Sequence, residues 1–95
     1  MTGNTPSFDL TGRTALITGS TIGIGFAIAE SLAAAGANIV LNGIEDSETA
    51  QASIDVLKTA GQKAWYCQTD LSKRGAAHAL YKAATEKSGA IDILI

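Results

Sequence analysis

Residues 18–25, TGSTIGIG, combine the residue types and the spacing that can hold a phosphate group. Gly19, Gly23 and Gly25 follow a G-x-x-x-G-x-G pattern between the apolar run TALI and an alanine-rich run of helical period. A helix that begins directly after a buried parallel strand directs its free N–H groups and its positive dipole end towards the carboxyl edge of the sheet. The stretch therefore predicts a pyrophosphate site, and the alternative is a glycine turn that only closes a strand-helix corner.

Each glycine has a separate expected role in such a site. Gly19 allows a tight exit from the strand, Gly23 lets a pyrophosphate approach without a Cβ in the way, and Gly25 lets the helix pack closely. Glu45 falls twenty residues after Gly25, near where an acidic side chain is needed for the ribose hydroxyls. Because the spacing differs from the commonest dinucleotide fingerprint, the glycines gain their weight from the strand before them and the helix after them.

Strands and helices are expected to alternate along the whole chain. We predict strands at residues 13–18, 37–42, 63–68 and 91–95, and helices at residues 23–35, 47–60 and 72–88. Gly36 and Gly61 end the first two helices, Asp46 or Ser47 caps the second, and Ser72 caps the third. In the first helix the inward-facing positions are expected to be Ile24, Ala27, Ile28, Leu32 and Ala35.

This alternation implies parallel strands joined by right-handed crossovers. The predicted fold class is α/β, a Rossmann-type doubly wound parallel sheet of order β-α-β-α-β-α-β, truncated after its fourth strand. A flexible N-terminal arm is expected at residues 1–10 and a partial dinucleotide-binding domain at residues 11–95.

Charge and composition exclude several other classes of protein. The net charge is −2 and the basic residues are scattered, which gives no nucleic-acid footprint. No stretch has the character of a membrane span or a signal peptide, so the expected location is the cytoplasm and no membrane partner is expected. Cys67 cannot form an internal disulfide and is expected to be a buried hydrophobic residue instead of a reactive thiol, His78 is expected on a helix surface, and no metal site is predicted.

The motif TGSTIGIG resembles the Thr-Gly-x-x-x-Gly-x-Gly cofactor motif of the short-chain dehydrogenase/reductase family. The resemblance continues through LTGRTALITG, AAAGANIVLNG, TDLS and GAIDILI, and so covers residues 10–95. It implies a Rossmann fold, a bound NAD or NADP, and an enzyme that transfers a hydride between the cofactor and a small-molecule alcohol or ketone. A dinucleotide cofactor is thus the expected partner.

The resemblance also implies which residues contact the cofactor. The diphosphate and the adjacent riboses would be lined by Gly19, Thr21, Ile22, Gly23, Ile24 and Gly25. Asp70 would accept a hydrogen bond from the adenine amino group, with Leu71 beside the ring. From the sequence alone, Asp70 is equally explained as a turn or helix-capping aspartate.

The choice between the two dinucleotides depends on the residues around the second strand. NAD-preferring members of the family usually have an aspartate where this chain has Gly43, and NADP-preferring members often have Arg or Lys where it has Ile22. No basic residue follows the second strand until Lys58, and Glu45 with its acidic neighbours would repel a 2′-phosphate. We therefore expect NAD, with NADP as the less favoured alternative.

Within the family, the stretch VLNGIEDSE is most similar to D-beta-hydroxybutyrate dehydrogenases, which makes D-beta-hydroxybutyrate a candidate substrate. The family's catalytic serine, tyrosine and lysine have no counterparts here, because Tyr66 and Tyr81 are not followed four residues later by a lysine. No catalytic residue is therefore assigned. We expect this chain to be the cofactor-binding half of an oxidoreductase and to be inactive alone.

A second hypothesis belongs to a different class of protein. In the family's strand order the fourth strand is interior, so IDILI would here be an apolar edge that can pair with another chain. The chain would then be a stand-alone nucleotide-binding or subunit-interaction module without catalysis, and it would self-associate through that strand.

Overall fold

The computed structural model describes residues 9–95. Its elements, in chain order, are β1 (Thr14–Ile17), α1 (Gly23–Ala34), β2 (Asn38–Gly43), α2 (Ser47–Thr59), β3 (Ala64–Gln68), α3 (Ala76–Ser88) and β4 (Ile93–Leu94). The predicted alternation of strands and helices is confirmed. The arm predicted at residues 1–10 falls mainly on residues 1–8, outside the described residues, and stays a prediction. Within its last residues, Leu10 donates its N–H to the carbonyl oxygen of Ala35 and packs against the core.

The four strands form one parallel sheet of order β3-β2-β1-β4. The chain runs outwards from β1 to β2 and β3, and then crosses back to place β4 on the other side of β1. This reversal creates a switch point at which the carboxyl ends of neighbouring strands leave a crevice. The predicted Rossmann-type doubly wound sheet is confirmed.

Helices cover both faces of the sheet, and alternate strand residues supply the two cores. Ala15, Ile17, Ile39 and Leu41 belong to the buried cluster that includes residues of α1 and α2. The opposite face buries a cluster of strand and α3 residues, namely Leu16, Val40, Cys67, Leu80 and Ala84. Burial on both faces explains why the strand segments are continuously apolar. Cys67 is buried as expected, and burial raises the pKa of its thiol.

The inward face of α1 differs from the prediction. Ala29 and Ala33 are buried, Ile28 is half-buried, and Ile24 is 82% exposed. Ala27 is also exposed. The predicted stripe is wrong at its N-terminal end because small alanines take the inward positions, which brings the helix close to the sheet and turns Ile24 outwards.

The start of α3 also differs from the prediction. The helix begins at Ala76 after Gly75, whose φ is +75°, and Ser72 lies in the preceding turn. The hydroxyl and N–H of Ser72 both donate to Asp70 instead of capping the helix. A local side-chain bond has therefore competed successfully with helix formation over these residues. At α2, Asp46 is the cap, since its carboxylate accepts the N–H of Thr49 at 2.8 Å.

Gly25 makes the close approach expected of it, but to the turn after β1 instead of to the strand itself. A Cβ at this position would meet the carbonyl oxygen of Gly19 and would lie 3.0 Å from the Cα of Ser20. These are backbone atoms, which cannot move aside as the end of a flexible side chain can. The absence of a side chain at Gly25 therefore fixes how α1 sits on the turn that leads into it.

Gly25→Ala should lower the free energy of unfolding by about 1–3 kcal/mol, the usual cost of overpacking. Helix propensity acts in the opposite direction and favours alanine by up to about 1 kcal/mol. Urea denaturation measures the balance, and Glu30→Ala on the exposed side of α1 is the matched control, expected to change stability by less than about 0.5 kcal/mol. A Gly25→Ala variant as stable as the parent would contradict the close contact.

Candidate cofactor-binding cleft

A cleft of about 380 Å³ opens at the carboxyl ends of β1, β2 and β3. Each strand is followed by a segment that contributes to its walls: Thr18, Gly19, Thr21 and Ile22 after β1, residues 42–45 around the end of β2, and Thr69 and Leu71 after β3. The cleft thus brings together five of the predicted cofactor residues, Gly19, Thr21, Ile22, Glu45 and Leu71. The other four, Gly23, Ile24, Gly25 and Asp70, lie outside its lining.

The turn after β1 is held in place from below by β2. Gly19 has a φ of +55°, a conformation that L side chains rarely adopt, and this gives the strand its tight exit. The buried hydroxyl of Ser20 donates to the carbonyl oxygen of Ile17 at 2.6 Å and accepts the N–H of Asn42 at 3.0 Å. On the open side of the turn, nothing lies within 4 Å of the position that a Cβ of residue 23 would occupy.

The N-terminus of α1 carries no side-chain cap. Its N-cap residue, Ile22, makes no side-chain hydrogen bond, and the first turn has no acidic residue. By contrast, α2 is capped by Asp46 and has Glu48 in its first turn. The first N–H groups of a helix have no partner within the helix, so those of α1 can donate to an anion that binds at this end of the helix.

Glu45 contributes a negative charge to the cleft. Its carboxylate accepts a hydrogen bond from the hydroxyl of Thr21, and this bond is the main reason that the pKa of Glu45 lies below its usual range. The pairing needs the space over Gly43, because a Cβ there would meet Glu45 Oε1 and would lie 3.1 Å from Thr21 Cγ2. Glu45 is therefore ionised at neutral pH. Its bond favours the folded chain above the unfolded-state pKa and loses that effect as the pH falls through the folded-state pKa.

Tyr66 holds the Glu45 segment from β3. Its hydroxyl donates to the backbone carbonyl oxygen of Glu45, and the side-chain amide of Gln68 donates to that of Ile44 at 3.1 Å. Burial, followed by the charge of Glu45, raises the pKa of Tyr66, so the phenol keeps its proton for this bond. Tyr66 is thus a support of the cleft wall.

The segment after β3 divides into an exposed carboxylate and an apolar wall. Asp70 Oδ1 accepts the N–H and the hydroxyl of Ser72 at 2.9 and 2.6 Å, and these bonds lower the pKa of Asp70. This is the turn geometry that the sequence left open, while the adenine contact of Asp70 stays a prediction. Leu71 and Ile44, which are 42% and 70% exposed, give the cleft two apolar side chains.

Sequence reasoning missed Asn42 as a member of this site. Asn42 is only 2% exposed, and its side chain bonds segments that follow β1 and β3. The available signal was a polar residue at the end of the otherwise apolar strand NIVLN. Ser53 was also missed, and its hydroxyl reaches from α2 to the carbonyl oxygen of Thr21 at 2.8 Å.

Two further findings concern the described part of the chain, residues 9–95. None of its helices combines the length and apolar character needed to cross a membrane. No three or more of its His, Cys, Asp and Glu side chains are grouped so that they could hold a metal ion.

Curated proteins of similar sequence are dehydrogenases of about three times this length. D-beta-hydroxybutyrate dehydrogenase of Cupriavidus necator is 44% identical over 88 residues, which cover 90% of this chain and 33% of that protein. Glucose 1-dehydrogenase 2 of Bacillus subtilis is 39% identical over 92% of this chain and 34% of its own length. The chain therefore spans about a third of the length of these relatives.

Solved structures agree with this similarity. A 3-oxoacyl (acyl-carrier-protein) reductase from Agrobacterium tumefaciens, with NADP bound, superposes with a TM-score of 0.84 at 43% identity and covers 93% of this chain and 33% of that one. Hydroxysteroid dehydrogenase from Escherichia coli superposes with a TM-score of 0.82 at 35% identity and covers 93% and 37%. The family model for short chain dehydrogenases matches residues 13–95. The chain accordingly belongs to the short-chain dehydrogenase family.

Proposed function

We propose that this chain forms the cofactor-binding part of an NAD-dependent oxidoreductase that acts on an alcohol/carbonyl pair. The observation that carries the proposal is the cleft at the sheet's switch point, with the uncapped N-terminus of α1 beside it. The residues fit a dinucleotide, because anion donors, an ionised carboxylate and an apolar wall are available at one edge of the sheet. When bound, the nicotinamide would accept or donate the hydride.

The proposed contacts follow the order of the cleft walls. Gly19, Thr21, Ile22, Gly23, Ile24 and Gly25 form the turn and first helical residues that would hold the diphosphate and adjacent riboses. The free N–H groups of α1 would donate to the phosphate oxygens, and the open space before Gly23 would let those oxygens approach the backbone. Glu45 would accept from the adenosine ribose, and Leu71, with Asp70 beside it, would border the adenine.

The proposed preference for NAD is supported by the charge at Glu45. Two unit charges 4 Å apart interact by about 1 kcal/mol in water and about 4 kcal/mol at a protein surface. Because Glu45 is partly exposed, we expect the lower part of this range against a 2′-phosphate. The hydroxyl of Thr21 is also occupied by Glu45 and would not be free to donate to that phosphate. Similarity to a structure with NADP bound leaves this choice to the local side chains.

NADH should bind this protein about tenfold more tightly than NADPH, and Glu45→Gln should remove most of that difference by lifting the repulsion. Fluorescence titration of the reduced nicotinamide gives both dissociation constants. Glu48→Gln is the matched control, since Glu48 carries the same charge in the first turn of α2 but does not line the cleft. Tighter binding of NADPH than NADH by the parent would refute the preference.

D-beta-hydroxybutyrate is the proposed substrate. Its support is the Leu-Asn-Gly stretch at residues 41–43 and the 44% identity to the Cupriavidus necator enzyme. Residues 1–95 contain no tyrosine followed four residues later by lysine, so we propose that they bind the cofactor without catalysing hydride transfer by themselves.

The 95-residue chain, mixed with NAD and a panel of secondary alcohols, should bind the dinucleotide but produce no NADH above the protein-free rate. The panel includes D-beta-hydroxybutyrate and glucose, and the Cupriavidus necator enzyme serves as positive control. Protein-dependent NADH formation would overturn the inactivity. In any longer form of the protein, a higher kcat/KM for another alcohol than for D-beta-hydroxybutyrate would overturn the substrate.

A second candidate function is a subunit-interaction module, and the position of β4 favours it. This strand ends the described sheet, and its neighbouring backbone bonds run towards β1, from Ile95 to Leu16 at 3.0 Å and from Thr18 to Ile95 at 2.9 Å. Leu94 is 63% exposed. A second copy of the chain would pair with the outer side of β4.

Sedimentation velocity of the protein should then show a dimer of defined stoichiometry that Leu94→Lys converts to monomer, because a charge on an edge strand opposes pairing. Val56→Lys, at an exposed apolar residue of α2, is the control and should leave the dimer intact. A parent protein that sediments as a monomer, or as heterogeneous aggregates, would exclude the module.

A further inference from the structure

We infer that Asn42 is a positioning residue that sets the separation between the phosphate side and the adenine side of the cleft. The inference rests on the proposed function, in that the cleft holds a dinucleotide. It goes beyond that function because it assigns the affinity for the whole cofactor to a side chain beneath the binding surface.

The carboxamide of Asn42 makes three hydrogen bonds, all to backbone groups. Oδ1 accepts the N–H of Gly19 at 3.1 Å, and Nδ2 donates to the carbonyl oxygens of Cys67 and Thr69 at 3.2 and 3.3 Å. A backbone N–H can only donate and a carbonyl oxygen can only accept, so these partners fix which way the amide faces. Because Asn42 is only 2% exposed, it has little access to water as a substitute partner.

These three bonds connect strands that the sheet keeps apart. β2 lies between β1 and β3, so no ladder hydrogen bonds join the ends of β1 and β3 directly. Asn42, near the end of β2, reaches Gly19 on one side and the end of β3 on the other. One rigid, planar amide therefore spans both gaps.

Each segment that Asn42 holds belongs to a different part of the proposed site. Gly19 begins the turn that leads to the N-terminus of α1, where the diphosphate would lie. Thr69 directly precedes Asp70 and Leu71, which would border the adenine, and its own N–H donates to the carbonyl oxygen of Gly43 at 2.9 Å. A ligand that spans both sides gains from having their separation preset, whereas a ligand on one side does not.

The test compares a probe that spans the cleft with a probe that occupies one side. In Asn42→Ala the dissociation constant for NADH should rise at least about tenfold, while that for adenosine should change less than about threefold. Asn42→Asp keeps the acceptor for Gly19 but turns an oxygen towards two carbonyl oxygens, and should weaken NADH at least as much. Titrations followed by backbone amide chemical shifts give both constants under one set of conditions.

A matched control separates positioning from general loss of stability. Leu80→Val alters the buried cluster under α3, on the sheet face opposite α1 and α2. It lowers stability but should leave the ratio of the NADH and adenosine constants as in the parent. If Asn42→Ala weakens both probes by the same factor, Asn42 has only a structural role and the inference is overturned.

A measurement on the parent protein covers the case in which the variants do not fold. The side-chain NH2 protons of Asn42 should exchange with solvent far more slowly than those of exposed amides, both with and without NADH. Rapid exchange in the cofactor-free protein would overturn the preset separation. A parent that fails to bind NADH at all would instead overturn the proposed function, which makes the two failures distinguishable.

Discussion

Buried polar groups at the carboxyl edge of the sheet must each find a hydrogen-bond partner, and this constraint organises the cleft. Ser20 and Asn42 lie in its floor, almost completely buried, and they bond to each other and to the backbone of three segments. Within residues 9–95, every buried side-chain nitrogen or oxygen has a partner. Since an unpaired buried polar group costs about 1–3 kcal/mol, moving any one segment would break several bonds at once.

The apolar layers make this polar floor rigid. Helices α1 and α2 cover one face of the sheet and α3 covers the other, so β1 and β2 are buried on both faces. Close contacts at the edge add to this, because Gly25 brings α1 against the turn after β1 and Gly43 leaves space for Glu45 to reach Thr21. The positions of the donors and of the carboxylate are thereby set before a ligand arrives, which lowers the entropic cost of binding.

Family membership and cofactor choice depend on different parts of this arrangement. The strand-turn-helix unit and the order of the sheet are shared with dehydrogenases that differ in their named substrates. The charge beside the cleft depends on Glu45, which lies beyond the end of β2 and folds back over Gly43. A single carboxylate can therefore bias the choice of dinucleotide without any change in the backbone.

The sequence by itself determined the order of the elements, the glycine turn and the edge at which the cleft opens, because these follow from short-range periodicity and from backbone conformation. Only the tertiary structure decided which face of α1 is buried, where Ile24 is exposed instead of packed. It also decided the pairing of Glu45 with Thr21 and the bonds of Asn42 to Gly19 and Thr69. These contacts join residues more than twenty positions apart, so they depend on strand order and side-chain reach, which no local pattern encodes.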